Sequence, residues 1–280
     1  MSGFEALIAG IIQGLTEFLP VSSSGHLVIY NTLTGETGGG GSLAFTVFLH
    51  VATLLAVVIV YRKDVWVLLR ELVFAIVDII KGRPDFKTPK RRFLLMVIIG
   101  TIPAVIAGAG IKALGLDDKL ESIFVVAVML IVTAVFMFLV DRIKEGKLTA
   151  ADAPLGTALF VGLLQGAAIL PGLSRSGSTI FAGVLGGLKK EFAVRFAFIL
   201  SIPVILGSAL MEMRGAMKAG DILVEPGAWA AGFIAAFICG LVAIKLIRVL
   251  IKSKKFYIFG IYCLCASTFA FLVGAGLIHA

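Results

Sequence analysis

One arginine stands in a stretch built otherwise of small, apolar and hydroxyl residues: Pro171-Gly-Leu-Ser174-Arg175-Ser176-Gly177-Ser178-Thr179. A charge at membrane depth is costly and is rarely kept without a partner, and a planar guanidinium with forked donors suits two-pronged binding of phosphate. Glu17 is the available counter-charge, so a purely structural Arg175–Glu17 pair is the plainer alternative. Glu17 follows Gln13 by four residues, which places both side chains on one helix face. Two oxygen-bearing groups so placed can share a hard divalent cation, Mg²⁺ or Ca²⁺, with substrate phosphates. His26 follows Ser23 by three, a spacing that lets imidazole act as proton carrier for the hydroxyl when both lie on one helical turn. Helix capping by the serine and a hydrogen-bonded core histidine is the alternative for that pair. His50 and His279 have no polar company in the sequence and are read as packing residues.

The remaining hydroxyls cluster with glycine where helices begin: Ser22, Ser24 and Gly25 in one place, Ser174, Ser176, Gly177, Ser178 and Thr179 in another. Glycine-permitted turns leading into helix amino termini present free N–H groups and the positive end of the helix dipole, an anion site. Capping alone accounts for one or two serines, not for six hydroxyls around an arginine. The expected guest is a polyanion.

The two clusters are copies of one another. Gln13/Gln165, Gly14/Gly166, Ser22/Ser174, Ser24/Ser176 and Gly25/Gly177 recur at one constant separation, with Pro20 and Pro171 one residue out of step. Each copy is an apolar helix, a proline, a Ser/Gly knot and a second short helix. Ala6–Leu19 and Leu155–Leu170 fall short of the roughly 20 apolar residues that cross a bilayer, so both pairs are expected to be re-entrant. Irregular backbone at membrane depth is tolerated only inside protein or along a wet cavity, and two knots therefore imply one internal polar site.

The elements around the knots follow from composition. With 59% hydrophobic and 15% charged residues in 280, and a mean hydropathy of +1.07, the chain is a polytopic membrane protein rather than a soluble domain. The basic residues behind its +8 charge lie between apolar segments, which argues against nucleic acid. Met-Ser-Gly-Phe-Glu has no basic leader region, so the first helix is expected to remain in the mature protein. Cys239, Cys263 and Cys265 lack ligand spacing and are expected to pack or face lipid. Six runs are long enough to cross: about 43–61, 93–111, 123–140, 192–211, 229–250 and 256–278. Val65–Ile80, with Arg70, Glu71 and Asp78 inside, is expected to lie in the interface, and Pro103 and Pro203 to kink their spans.

The fold class expected is all-α: a single transmembrane domain over 1–280, with inverted-topology repeats of about 1–145 and 150–280, six spanning helices, two re-entrant helix-loop-helix pairs and one interfacial helix. Three crossings per repeat invert the second copy. Placing the amino terminus on one side puts eighteen Lys and Arg on the other, against only Lys112, Lys119, Arg214 and Lys218. The basic side is then cytoplasmic, both termini are external, and the knots meet near the midplane. The glycine-rich segment 35–42 is expected to be an external loop tip without chemistry.

Gln13-x-x-x-Glu17, Pro20-Val-Ser-Ser-Ser-Gly-His26 and Pro171-Gly-Leu-Ser174-Arg175-Ser176-Gly-Ser-Thr179 resemble the signature motifs of the undecaprenyl-diphosphate phosphatases, the bacitracin-resistance protein family. The resemblance extends to Thr101-Ile-Pro103 and Ser201-Ile-Pro203 and covers essentially the whole chain; position 13 is Gln where many members carry Glu. It implies hydrolysis of undecaprenyl diphosphate, or related prenyl diphosphates, to the monophosphate, recycling the lipid carrier of peptidoglycan synthesis in the bacterial cytoplasmic membrane. The implied site opens to the external face and leaves room for a homodimer. Arg175 and the knot N–H groups would hold the diphosphate, Ser23 or a water would attack, His26 would carry the proton, and Glu17 would be metal ligand or base. Substrate contacts would come from Gln13, Ser22, Ser24, Gly25, Ser174, Ser176, Gly177 and Thr179. An inverted-repeat transporter or lipid flippase with a midplane anion site is the rival class.

Overall fold

The computed structural model describes residues 2–34, 43–83, 85–115, 120, 122–219, 226–253 and 255–278. Segment 35–42 and His279, both interpreted above, lie outside the described residues. Eleven helices occur among the described residues: α1 (Gly3–Phe18), α2 (Ser23–Thr34), α3 (Leu43–Val60), α4 (Arg62–Ile80), α5 (Pro89–Ala113), α6 (Ile123–Arg142), α7 (Leu155–Ala167), α8 (Arg175–Leu185), α9 (Lys190–Ala219), α10 (Pro226–Ser253) and α11 (Tyr257–Gly274).

Five of these, α5, α6, α9, α10 and α11, are long and apolar enough to cross a membrane. Helix α3 breaks at Tyr61 and turns by 89° into α4, and this bent pair, counted as one span, is a sixth candidate crossing. That bend fits the composition: α3 has no charge along its length, whereas α4 opens on Arg62, Lys63 and Asp64 and keeps Trp66 exposed. Helix α4 therefore lies nearly perpendicular to α3, a direction that fits an interfacial segment. It is tied to α5 by Arg91, which donates to Glu71 at 2.6 Å and Asp78 at 2.7 Å. The start of α5 is set by Thr88, whose hydroxyl caps Arg91 N–H ahead of Pro89.

The short helices stop where the chain chemistry requires. A helix of 16 residues such as α1 spans about 24 Å, less than the hydrocarbon core. It begins on a Ser2/Glu5 capping box and ends at Phe18, ahead of Pro20. Helix α7, with 13 residues, is shorter still and ends ahead of Pro171.

Small residues let these short helices approach the long ones. A Cβ on Gly14 of α1 would lie 2.5 Å from Ala236 O and 2.7 Å from Cys239 Cβ of α10. In the other half, a Cβ on Gly162 of α7 would lie 2.9 Å from Gly100 Cα of α5, and one on Gly166 would lie 3.1 Å from Pro103 O. The duplicated glycines thus do the same work twice, permitting backbone-to-backbone contact between helices. Helix α1 packs on α10 as α7 packs on α5, while α3 meets α9 and α6 meets α11. Between them, α2 touches α1, α6 and α11, and α8 touches α7, α9 and α6, so both knots lie within the bundle.

Polarity is inverted relative to a soluble protein. Gln13, Gln165 and Ser178 are buried, while Val105, Ile106 and Val249 face outward. Cys263 is buried and Cys265 exposed, and all three thiols are free.

Candidate active site

Glu17 is the centre on which the site converges. Its carboxylate is buried at the end of α1 and accepts from Gln13 Nε2 at 2.9 Å, from Ser23 Oγ at 2.7 Å and from Arg175 Nη2. Gln13 reaches it because four residues make one helical turn. Ser23 reaches it because the chain reverses at Pro20, so that the first residue of α2 returns to the end of α1. Arg175 comes from the other half of the chain, on the first turn of α8, and its guanidinium has only this one carboxylate partner among the described residues. At such depth these hydrogen bonds, one of them from a guanidinium, take the place of water around the carboxylate.

The knots themselves interlock. Ser22 takes φ +71°, a left-handed conformation that costs a side-chain-bearing residue energy and tends to be kept at functional sites. In that conformation its Oγ accepts from Gly25 N–H at 3.3 Å and its carbonyl accepts from His26 Nδ1–H at 2.7 Å. In the second knot Ser174 caps α8, its Oγ accepting from Gly177 N–H at 3.1 Å, while its own N–H donates to Thr133 Oγ1 at 3.0 Å. Ser176 Oγ crosses between the halves to Leu19 O at 3.1 Å. A Cβ added to Gly25 would meet Gly172 Cα at 3.0 Å, and one added to Gly177 would meet Pro20 Cβ at 3.3 Å. Glycine is needed at both because the two knots touch there.

Several expectations change at this level. Ser23 and His26 do not pair: Ser23 donates to Glu17, and His26 turns away to Ser22 O and to Tyr262 OH, 2.7 Å from Nε2, with the two rings stacked. The spacing of three does place both residues on one turn, but Ser23 is the first residue of α2 and the nearest acceptor is the carboxylate across the reversal. Since a carbonyl only accepts, His26 Nδ1 carries a proton, and in the neutral ring Nε2 accepts from Tyr262 OH. The hydroxyls of Ser174 and Thr179 are committed to their own helix, the latter donating to Arg175 O at 2.8 Å. Ser22 and Ser24 share a contact of 3.3 Å, and Ser24 is exposed.

Two residues were missed. His50 on α3, read above as lacking polar company, holds Nε2 4.0 Å from Glu17 Oε2 while Nδ1–H donates to Thr46 O at 2.9 Å. Its signal was present: a lone ionisable side chain within an uncharged span is a functional candidate by default. Tyr262 had no such signal, because it meets His26 only through tertiary packing of α11.

No group of three or more His, Cys, Asp or Glu side chains placed to hold a metal occurs among the described residues. Gln13 Oε1, however, is buried and has no hydrogen-bond partner among the described residues. Together with the Glu17 carboxylate it makes an oxygen-only donor pair of the kind hard divalent cations prefer, the rest of whose shell phosphate oxygens would supply.

The family described as "Bacitracin resistance protein BacA" matches residues 6–269. A protein named "Undecaprenyl-diphosphatase" in Methanosphaera stadtmanae is 39% identical over 269 residues, covering 92% of this chain and 93% of that one. One of the same name in Methanobrevibacter smithii is 40% identical over 280 residues, covering 97% and 98%. "Undecaprenyl-diphosphatase 1" of Shouchella clausii is 35% identical over 290 residues, covering 100% and 99%. A family match that spans both knots and all but the outer ends of the first and last helices, with relatives alike over nearly their whole length, makes the chain a member of the bacitracin resistance protein BacA family.

Proposed function

We propose that this protein is an integral-membrane phosphatase that cleaves undecaprenyl diphosphate to undecaprenyl phosphate and inorganic phosphate. The observation that carries the reading is the convergence, inside an apolar bundle, of a serine hydroxyl, a carboxylate and an arginine from two interlocked anion-binding turns. The names of the relatives favour hydrolysis over the transporter alternative.

Roles follow from the geometry. Ser23 already donates to Glu17, so the carboxylate is the base that takes its proton as Oγ attacks the terminal phosphorus. The bond from that phosphorus to the bridging oxygen breaks, and the lipid leaves as its monophosphate. Water then attacks the phosphoserine, releases phosphate and restores Ser23. Arg175, with donors beyond the one on Glu17, and the N–H groups opening α2 and α8 neutralise the phosphoryl charge; little else is required of a phosphoryl-transfer site. Glu17 returns the proton to Ser23 Oγ as the phosphoserine bond breaks, and His26 would serve as a proton carrier only after leaving Ser22 O or Tyr262 OH. Gln13 Oε1 and Glu17 are the residues that would hold Mg²⁺ or Ca²⁺, which when bound would add positive charge beside the phosphates. Two inverted repeats of about 1–145 and 150–280 put both termini on one side, and the charge bias supports the reading that this side, with the mouth of the site, is external to the cytoplasmic membrane.

The test is phosphate release from undecaprenyl diphosphate by purified protein in detergent, with and without chelator. Sustained release is expected, and loss in chelator would assign the metal. No release from stably folded protein supplied with divalent cation would overturn the reading.

A further inference from the structure

A second recess, rimmed by basic side chains, lies at the bend between α3 and α4, remote from Glu17. Tyr61 comes eleven residues after His50 along the same helix, a distance of about 16 Å. A cavity of about 650 Å³ opens there against α9 and the end of α10, where Lys245, Arg248 and Lys252 share one face. A neighbouring cavity of about 480 Å³ shares Tyr61 and Arg248 and adds Arg62 and Lys63.

The carboxylates nearby are already engaged. Asp64 is paired with Arg195, and Glu191 lies 3.7 Å from Lys189 Nζ. Arg62, Lys63, Lys245, Arg248 and Lys252 have no carboxylate partner among the described residues. Arg248 is nonetheless held in place: its guanidinium stacks 4.4 Å from the Tyr61 ring, and its Nε donates to Tyr61 OH at 3.4 Å. Tyr61 is itself buried. A cluster of cations around one held arginine, facing a recess, attracts a multiply charged oxyanion.

Two features decide what carries that anion. Val242, Leu246 and Val249 form an exposed apolar stripe on α10 beside the basic face, at the spacing of one helix side. Trp66, 69% exposed, stands one turn beyond Arg62 and marks headgroup level, where aromatic rings of this kind settle. A molecule bound here has its anion in the cavity and its apolar part along α10.

We propose that this recess binds the phosphate-bearing headgroup of an anionic membrane lipid, on the basic face of the protein. Basic pockets between helices at this depth are built for such headgroups. The site is independent of the hydrolytic reading.

The full chain, purified in a neutral detergent, is titrated with phosphatidylglycerol and with phosphatidylcholine, and bound lipid is counted by native mass spectrometry. Phosphatidylglycerol is expected to bind at least about tenfold more tightly, and Lys245→Gln with Lys252→Gln to weaken it about 30-fold, both lysines being exposed and without a carboxylate partner among the described residues. Lys245→Arg with Lys252→Arg retains the charge and should retain binding. Should the double glutamine variant fail to fold, Lys252→Gln alone is read instead, with about a fivefold loss expected. Equal affinity for the two lipids, or unchanged phosphatidylglycerol binding in the glutamine variants, overturns the proposal. So does displacement of phosphatidylglycerol by millimolar inorganic phosphate, which would make this a free-phosphate site.

Discussion

Replacing Glu17 by Gln tests the reading at its centre. The carboxylate accepts three hydrogen bonds, from Gln13, Ser23 and Arg175, and an amide presents an N–H₂ where one of those donors now points. Two losses follow, and they differ in kind. Breaking a buried ion pair by removing one partner costs about 3–5 kcal/mol, and because the Arg175 side chain is 22% exposed the lower end applies, about 3 kcal/mol. For a chain of this size that is a fall of roughly 6–12 °C in melting temperature. The chemical loss is that of a base beside a nucleophile, about 10²- to 10⁴-fold in kcat. Removing the second charge separates them: Glu17→Gln with Arg175→Gln leaves no unpaired buried charge, so most of the stability should return while turnover stays lost. Thermal unfolding and phosphate release on the same detergent preparations read both quantities. The reasoning is refuted by turnover of Glu17→Gln within about tenfold of the parent at saturating substrate, or by recovery of activity along with stability in the double variant.

Arg175→Lys keeps the charge but not the fork, and kcat/KM for undecaprenyl diphosphate is expected to fall by orders of magnitude; near-normal turnover would reduce Arg175 to a counter-charge for Glu17. Ser23→Ala should abolish turnover almost entirely, and rapid quenching with terminally labelled substrate should trap phosphoserine at Ser23 in the parent. A residual loss of only about 5- to 150-fold without trapped label would mean that Ser23 merely hydrogen-bonds a phosphate and water attacks. Gly14→Ala forces a methyl against Ala236 O and Cys239 Cβ and should cost about 1–3 kcal/mol in thermal unfolding. Gly156→Ala, with open space at its Cβ, should cost nothing, and equal effects would contradict the close approach of α1 and α10. With the native cysteines replaced, cysteine at Lys87 should react with an impermeant reagent only from the cytoplasm and cysteine at Ser122 only from outside; labelling of both from one face would overturn the inverted topology.

Much of this architecture was legible in the sequence because its causes are local. Runs without charge set the long helices, Pro20 and Pro171 end the short ones, and the charges of Arg62, Lys63 and Asp64 mark where α3 gives way to α4. Arg175 and Glu17 were also legible: an ionised side chain among apolar neighbours needs a partner wherever the chain folds. The doubled Gly/Gln/Ser pattern told which two segments to compare.

What the sequence could not decide was which polar group faces which. Ser23 has His26 three residues ahead and Glu17 six behind, and spacing alone favours the histidine; only the reversal after α1 brings the carboxylate to 2.7 Å and sends the imidazole to a tyrosine 236 positions away. His50 looks solitary on α3 until α1 is laid beside it. The unpartnered Gln13 Oε1 and the basic recess at Tyr61 are likewise properties of packing rather than of any segment. Hydropathy determines where a chain enters and leaves the apolar phase, a sum over neighbours in sequence. Inside that phase a hydrogen bond is made or lost over a few tenths of an ångström, and only the assembled bundle sets such distances.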